Sequence, residues 1–209
     1  MPDWKIEDTF GEFVCGIDEA GRGPWVGPVV AGAVMFLTHN INPELLQNID
    51  DSKKLSAAKR EKLYALLRQE EALGHLCCGI GLAEAHEIDE LNILQATFLA
   101  MRRAAEQLKT CPKQAIIDGN RLPLQFICPA SCYIGGDALS YSIAAASILA
   151  KVYRDNLMKE LAKQYPQYKF EKNAGYGTKD HIEAIQKYGI TPQHRKSYKP
   201  IKQYLEQHS

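Results

Sequence analysis

The chain has 209 residues, 45% of them hydrophobic, which is enough for one sizeable core and excludes a disordered protein. No apolar stretch is long enough to span a membrane, and the N-terminus lacks a signal-peptide pattern, so we expect a cytoplasmic protein without membrane contact. The formal net charge of zero argues against a protein that binds polyanions by charge alone, although residues 151–203 carry twelve Lys or Arg against five Asp or Glu.

Strands and helices alternate along the first half of the chain. Apolar, partly β-branched runs predict strands at 12–18 and 29–36, the second antiparallel to the first. Ser56 is the expected N-cap of a helix over 57–71, whose leucines recur at helical spacing. A third strand at 75–82 and a helical region over 84–109, broken near Asn92, complete this half.

The second half begins with a predicted strand at 114–117, followed by short strands at 125–128 and 132–134. An Ala-rich pattern predicts a long helix from 138 to about 165, where Pro166 ends it. A last core helix is expected at 179–188, before a basic tail that contains proline. Strand hairpins followed by β-α alternation predict an α/β fold, with a mixed sheet between helices on both faces.

Acidic residues follow two of these strands. Asp18 and Glu19 end the first strand, and Asp118 comes directly after the strand at 114–117. If those strands are neighbours, the carboxylates of Asp18 and Asp118 emerge at the edge where open α/β sheets place ligands. Asp137, just before the Ala-rich helix, is either a plain N-cap or a further member of this acidic cluster.

Glu19 and Asp155 raise questions of geometry. Successive strand residues point to opposite faces, so either the chain turns at Glu19 or Glu19 contributes through its backbone carbonyl. Asp155 lies roughly 27 Å from Asp137 along an unbroken helix, at ~1.5 Å rise per residue. We therefore expect Asp155 to form an ion pair and not to share a cation with Asp137.

Acids that offer only oxygen atoms favour Mg²⁺ or Mn²⁺ over zinc. Such sites hydrolyse phosphodiesters with two metal ions. The turn formed by Gly21, Arg22 and Gly23 allows a ligand to approach the backbone closely, and a guanidinium suits phosphate. The six cysteines form no zinc-type pairs and are expected to be buried, while the six histidines lack paired spacing and are expected at the surface or in local hydrogen bonds.

Seven motifs, in order, resemble those of bacterial ribonuclease HII, and residues 194–198 (HRKSY) also fit. The seven are residues 16–24 (GIDEAGRGP), 51–55 (DSKKL), 117–120 (IDGN), 136–137 (GD), 144–151 (AAASILAK), 154–155 (RD) and 175–178 (GYGT). The resemblance covers almost the whole chain. Two departures are Gly135, where the family often has lysine, and Gly177, where many members have proline.

This resemblance implies a ribonuclease H-like catalytic core over residues 1–165 and a small helical, basic, substrate-binding segment over residues 166–209 packed on it. It implies hydrolysis of the RNA strand of RNA–DNA hybrids. It also implies nicking of DNA duplexes at embedded ribonucleotides, as in ribonucleotide excision repair, with 5′-phosphate and 3′-hydroxyl products. We expect a monomer.

The resemblance also assigns roles to residues. The carboxylates that would bind two Mg²⁺ or Mn²⁺ ions and act in catalysis are Asp18, Glu19, Asp118 and Asp137. The Gly21–Arg22–Gly23 turn would contact the ribose 2′-hydroxyl and neighbouring phosphates, and Tyr176 would stack on the adjacent deoxyribose. Candidate phosphate contacts are Lys53 and Lys54, with Lys179, Arg195 and Lys196 as further basic residues.

Two other functions fit parts of the pattern. One is a different metal-dependent phosphodiesterase, such as a DNA 3′-exonuclease or a small-molecule phosphatase, which would not require a ribose beside DNA. The other is a non-catalytic module that binds hybrid duplexes with or without metal. Acids that face a polyanion weigh against the module, because a binder gains nothing from their negative charge.

Overall fold

A mixed sheet forms the centre of the protein, as predicted. The computed structural model describes residues 1–52 and 54–208, so the expected substrate contact Lys53 lies outside the described residues. The strands are β1 (Val14–Ala20), β2 (Val29–Phe36), β3 (Leu76–Ala83), β4 (Gln114–Asp118) and β5 (Ala130–Tyr133). Their order is β3-β2-β1-β4-β5. Strand β2 runs antiparallel to β1 and β3, whereas β1, β4 and β5 are parallel.

Helices cover both faces of this sheet. They are α1 (Lys5–Phe10), α2 (Pro43–Asn48), α3 (Ala57–Ala72), α4 (Ala85–Leu91), α5 (Ile93–Glu106), α6 (Tyr141–Gln164), α7 (Phe170–Asn173), α8 (Lys179–Tyr188) and α9 (Lys199–Gln207). Helix α5 packs against one face, where Cys15 and Ile17 of β1 are buried. Helices α6 and α3 pack against the other, around Val34 of β2. Within the described residues, no helix is long and apolar enough to cross a bilayer.

Helix α6 approaches the sheet unusually closely, because glycines of β1 and β2 face it. A Cβ atom on Gly16 would lie 2.1 Å from the backbone carbon of Ser142, and one on Gly32 would lie 2.5 Å from the carbonyl oxygen of Ala146. No larger residue fits without moving the helix. The close approach brings Ser147, the next residue of α6, to the end of β1 where Asp18 lies.

Most predicted elements are confirmed within one or two residues, including the N-cap at Ser56 and the helix break at Asn92. Asn92 adopts a φ of +69° and its side chain accepts hydrogen bonds from the amides of Leu94 and Gln95. The strand predicted at 125–128 is wrong. Its apolar residues pack beside the core without pairing, and the edge strand is β5, two residues later.

The C-terminal part is more helical than the predicted basic tail. Pro200 lies in the first turn of α9, where its missing N–H costs nothing. The elements after Tyr165 share a third apolar cluster with the end of α6 and with Val26. Among the cysteines, the expectation of burial is confirmed for Cys15 and Cys77 and is wrong for Cys111, which is exposed; the other three are partly buried.

Candidate active site

Asp18 and Asp118 lie side by side at one edge of the sheet. Strands β1 and β4 are parallel neighbours, and Ile17 pairs with Ile117, so the next residue of each strand is an aspartate. The sequence left this arrangement conditional on the strands being neighbours, and the register confirms that they are. Two carboxylates therefore emerge together at the carboxyl ends of adjacent strands.

The carboxylate of Asp18 is buried and only half satisfied. Its Oδ1 atom accepts a hydrogen bond of 2.7 Å from the amide of Glu19, whereas its buried Oδ2 atom has no hydrogen-bond partner among the described residues. Burial raises the pKa of Asp18 well above its ordinary value, and the negative charges of Glu19 and Asp118 raise it further. The hydroxyl of Ser147 opposes this shift. The site thus concentrates negative charge with too few local donors to balance it.

A short turn connects the residue before Asp137 to Asp118. Asp118 Oδ1 accepts a hydrogen bond of 2.7 Å from the amide of Gly136, and Asp137 follows within the 3₁₀ turn Gly136–Ala138, where it is buried. The alternative that Asp137 is the helix N-cap is wrong. Ser140 caps α6, and its hydroxyl accepts a hydrogen bond of 3.1 Å from the amide of Ile143.

The chain does not turn at Glu19. Strand β1 continues to Ala20, so the first of the two geometric options is wrong and the turn follows the strand. The side chain of Glu19 is mostly buried, and its Oε1 atom accepts a hydrogen bond of 3.3 Å from Arg22 Nη1. Glu19 therefore connects the acidic edge to the Gly-Arg-Gly turn.

In the described parts of the chain, no group of three or more His, Cys, Asp or Glu is arranged to hold a metal ion. The four acids are thus not arranged as a complete metal-coordination site. The donor set nevertheless fits a hard divalent cation, because it consists of carboxylate oxygens. A cation bound at this edge would contact the buried Oδ2 atom of Asp18, which has no hydrogen-bond partner among the described residues. Its charge would offset the burial and the neighbouring negative charges that raise the pKa of this carboxyl.

A pocket of about 300 Å³ adjoins the acids. It is lined by residues 19–23, Ser52, Lys151, Arg154 and Tyr176. A Cβ atom on Gly23 would touch the Tyr176 ring at 3.4 Å, so the turn and the tyrosine lie together, as the resemblance implies. Tyr176 is 52% exposed, and its ring is therefore accessible to a ligand.

Ser52, which precedes the predicted lysines, is held at this pocket by hydrogen bonds to residues of α6 and α3. Ser52 Oγ lies 2.7 Å from Ser147 Oγ, and Arg60 Nη1 donates to the carbonyl of Ser52 at 2.9 Å. Lys54 is exposed and pairs with Asp50 at 3.3 Å.

Asp155 forms the expected ion pair, with Lys151 Nζ at 2.6 Å. Ser147, Lys151 and Arg154 lie within the motifs at 144–151 and 154–155, but nothing in their spacing predicts a place at the site.

Arg195 is not the phosphate contact that was expected. Its side chain is fully buried, and its guanidinium bonds to backbone carbonyls beneath the Gly-Arg-Gly turn. No spacing signal links residues so far apart in the chain.

The departure at Gly177 also has a structural reason, because a Cβ atom there would lie 2.0 Å from the Trp25 ring. At Gly135 a Cβ atom would meet nothing within 4 Å.

The fold and the acidic edge together define a nuclease of the ribonuclease H-like class. A family model described as Ribonuclease HII matches residues 15–201. A Ribonuclease HII from Paramagnetospirillum magneticum is 50% identical over 205 residues, covering 98% of this chain and 99% of the relative. One from Desulfitobacterium hafniense is 53% identical over 193 residues, covering 92% and 71%. The chain therefore belongs to the ribonuclease HII family and is a ribonuclease H enzyme.

Solved structures agree on the fold. The ribonuclease H2 from Pyrococcus horikoshii OT3 superposes with a TM-score of 0.73 at 27% identity, covering 93% of this chain and 97% of that one. Bst-RNase HIII in complex with Mn²⁺ superposes with a TM-score of 0.72 over 92% of this chain and 69% of that one. At 16% identity, this second likeness concerns the fold alone.

Proposed function

We propose that this ribonuclease H is an endonuclease that hydrolyses the RNA strand of RNA–DNA hybrids and nicks DNA duplexes at embedded ribonucleotides. Its products would carry 5′-phosphate and 3′-hydroxyl ends, as ribonucleotide excision repair requires. The observation that carries this proposal is the half-satisfied carboxylate of Asp18 beside Asp118, next to a pocket that joins the Gly-Arg-Gly turn to Tyr176.

Asp18, Glu19, Asp118 and Asp137 would hold Mg²⁺ or Mn²⁺, with two ions in the presence of substrate. Bound there, divalent ions would supply a water nucleophile at neutral pH and stabilise the leaving oxygen. The protein's own contribution is to hold its acids in place. The amide of Gly136 orients Asp118, and the amide of Glu19 orients Asp18, so neither carboxylate needs to reorganise during the reaction.

Substrate selection would lie in the adjoining pocket. The 2′-hydroxyl is both donor and acceptor and is the group that distinguishes RNA from DNA. Backbone groups of Gly21, Arg22 and Gly23 suit it because no Cβ atom of the two glycines obstructs close approach. The exposed ring of Tyr176 offers an apolar face for the neighbouring deoxyribose. Lys54, and Lys53 by its place in the sequence, would contact phosphates.

The C-terminal segment, residues 166–209, would bind the duplex next to the pocket. It would form one folded unit with residues 1–165. We also propose that the enzyme acts as a monomer in the cytoplasm. A gel-filtration mass measured with and without duplex tests the first of these two statements.

The activity is tested with four substrates: an RNA–DNA hybrid, a DNA duplex with one ribonucleotide, the matched all-DNA duplex, and a phosphate monoester. Each is incubated in Mg²⁺, Mn²⁺ or EDTA, and the products are mapped to one nucleotide. We expect metal-dependent cleavage of the first two only, and none by Asp118→Asn. Degradation of all-DNA ends, or hydrolysis of the monoester alone, would instead support an exonuclease or a phosphatase.

A further inference from the structure

Arg154 and Arg195 have the largest fully buried side chains among the described residues. Neither forms an ion pair with a carboxylate within the described residues, although such pairs occur nearby at Arg22 and Lys151. A buried, uncompensated guanidinium costs several kcal/mol unless its hydrogen bonds are satisfied. The hydrogen bonds of these two arginines go almost entirely to backbone carbonyls, so their partners indicate what the buried charges hold in place.

Arg195 holds the backbone of the Gly-Arg-Gly turn from below. Its Nη2 atom donates to the carbonyl of Gly21 at 2.6 Å, and its Nη1 atom donates to the carbonyl of Arg22 at 2.9 Å. Its Nε atom donates to the carbonyl of Gly27 at 2.9 Å. The hydroxyl of Tyr198 accepts a hydrogen bond from Arg195 Nη1 and donates one to the carbonyl of Arg22.

These contacts fix the direction of two amides. No peptide bond among the described residues is cis, and in a trans peptide the carbonyl of one residue points opposite to the N–H of the next. Because the carbonyls of Gly21 and Arg22 both point at Arg195, the N–H groups of Arg22 and Gly23 point away from it. Neither amide donates a backbone hydrogen bond within the described parts of the chain. Two adjacent outward N–H groups form a concavity that attracts oxygen atoms and anions.

Arg154 supports the other end of the same loop from helix α6. It donates to the carbonyls of Val26 at 3.1 Å and Pro28 at 3.3 Å. It also donates to the carbonyl of Ala174, two residues before Tyr176, at 3.2 Å. The Gly21 backbone rests on it, since a Cβ atom there would lie 2.0 Å from Arg154 Nε. Arg154 of the core thus supports residues 26–28 and packs against Gly21, whereas the hydrogen bonds to the carbonyls of the turn come from Arg195 of the C-terminal segment.

We propose that Arg195, assisted by Tyr198, is a positioning residue that aims the amides of Arg22 and Gly23 at the ribose and phosphate oxygens of the substrate. This role rests on the proposed function of the Gly-Arg-Gly turn. It differs from phosphate binding, because the guanidinium is buried and its donors are already engaged. The C-terminal segment therefore completes the pocket through the backbone of the turn.

Two variants test the proposal. Tyr198→Phe removes only the hydroxyl that bridges Arg195 and Arg22, and Arg195→Lys keeps the charge but cannot reach three carbonyls. With a singly ribosubstituted duplex we expect kcat to fall about tenfold for Tyr198→Phe, as for one lost hydrogen bond. We expect it to fall about 100-fold for Arg195→Lys, as for a misplaced reacting group. The Arg22 and Gly23 amide signals in the ¹⁵N spectrum should shift or broaden in both variants.

Further measurements separate positioning from other roles. If Arg195 contacted a phosphate directly, its replacement would raise KM and flatten the slope of log KM against log salt relative to wild type. If Arg195 only positions the turn, the variant keeps the wild-type slope. Arg102→Gln removes an exposed arginine of α5 and is the matched control, with wild-type kcat and KM expected. If wild type nicks the duplex and Tyr198→Phe retains its kcat and its amide spectrum, the positioning role is refuted. If wild type does not nick the duplex, the proposed function itself has failed.

Discussion

A buried pair of histidines should make the protein sensitive to mild acid. The amide of Thr191 donates to His194 Nδ1 at 2.9 Å, which places the His194 proton on Nε2. That proton is donated to His181 Nε2 at 3.1 Å, and His181 Nδ1 donates to the carbonyl of Tyr176 at 2.9 Å. Both rings are therefore neutral, and together they hold the backbone of Tyr176. The expected local hydrogen bonds are confirmed for both rings, whereas the alternative of a surface position is wrong for this pair, because both histidines are buried.

The size of the effect follows from the shifted pKa values. Burial, together with the neighbouring His181, lowers the pKa of His194 from 6.5 to about 3, and burial lowers the pKa of His181 in the same direction. Because the folded state disfavours the protonated ring, stability is intact above pH 6.5 and is lost as the pH falls towards 3. At 1.36 kcal/mol per unit, His194 alone costs about 2 kcal/mol between pH 7 and pH 5.

Urea unfolding at pH 7 and pH 5 measures this loss. The raised pKa of Asp18 acts in the opposite direction, so the test compares wild type with His194→Gln, which cannot titrate. We expect the variant to lose about 2 kcal/mol less than wild type over this range. His86→Gln, at an exposed histidine of α4, is the matched control and should follow wild type. An NMR titration that gives the His194 ring a pKa near 6.5 would refute the reasoning.

Three further outcomes are expected. Asp18→Asn should abolish cleavage but raise the free energy of unfolding in EDTA at pH 7, because it removes a buried carboxylate whose ionised form is disfavoured. Unchanged or lower stability in urea would contradict this. Gly135→Lys should lower KM at moderate salt, since it adds a cation beside Gly136 where a Cβ atom meets open space. It should lower the free energy of unfolding by about 1 kcal/mol, because φ at this position is +66°. An unchanged KM would show that this position does not face the substrate. Gly177→Ala should destabilise by about 1–3 kcal/mol in thermal unfolding, because the new methyl overlaps the Trp25 ring, and no change in Tm would mean that the ring moves freely.

Sequence reasoning succeeded where the signal is local. The ends of β1 and β4 could be located from apolar runs followed by acids, and a parallel register between them is enough to bring Asp18 beside Asp118. The break at Asn92 was also readable, since a polar residue interrupts a long helical pattern. The strand predicted at 125–128 failed because apolar side chains pack against a core equally well without hydrogen-bonding to a sheet.

The supporting residues could not be predicted, because their partners are distant in sequence. His181 and His194 are thirteen residues apart and contact each other only after α8 and the following turn have packed. Arg195 meets Gly21 and Arg22 across most of the chain. A basic residue in a basic segment resembles a surface charge, and nothing in its immediate neighbours indicates that it is buried.

The contacts of the Gly-Arg-Gly turn also link the proposed core, residues 1–165, to the proposed C-terminal segment, residues 166–209. Val26, Met158 and Ala162 of the core share one apolar cluster with Phe170 and Ile201. A chain that ended at residue 165 would expose that cluster and release the carbonyls that Arg195 binds. Its acids would remain at the sheet edge, but the amides of the turn would lose their direction. We therefore infer that the C-terminal segment and the core unfold together, and that metal binding can survive changes in the segment that abolish recognition of the ribose.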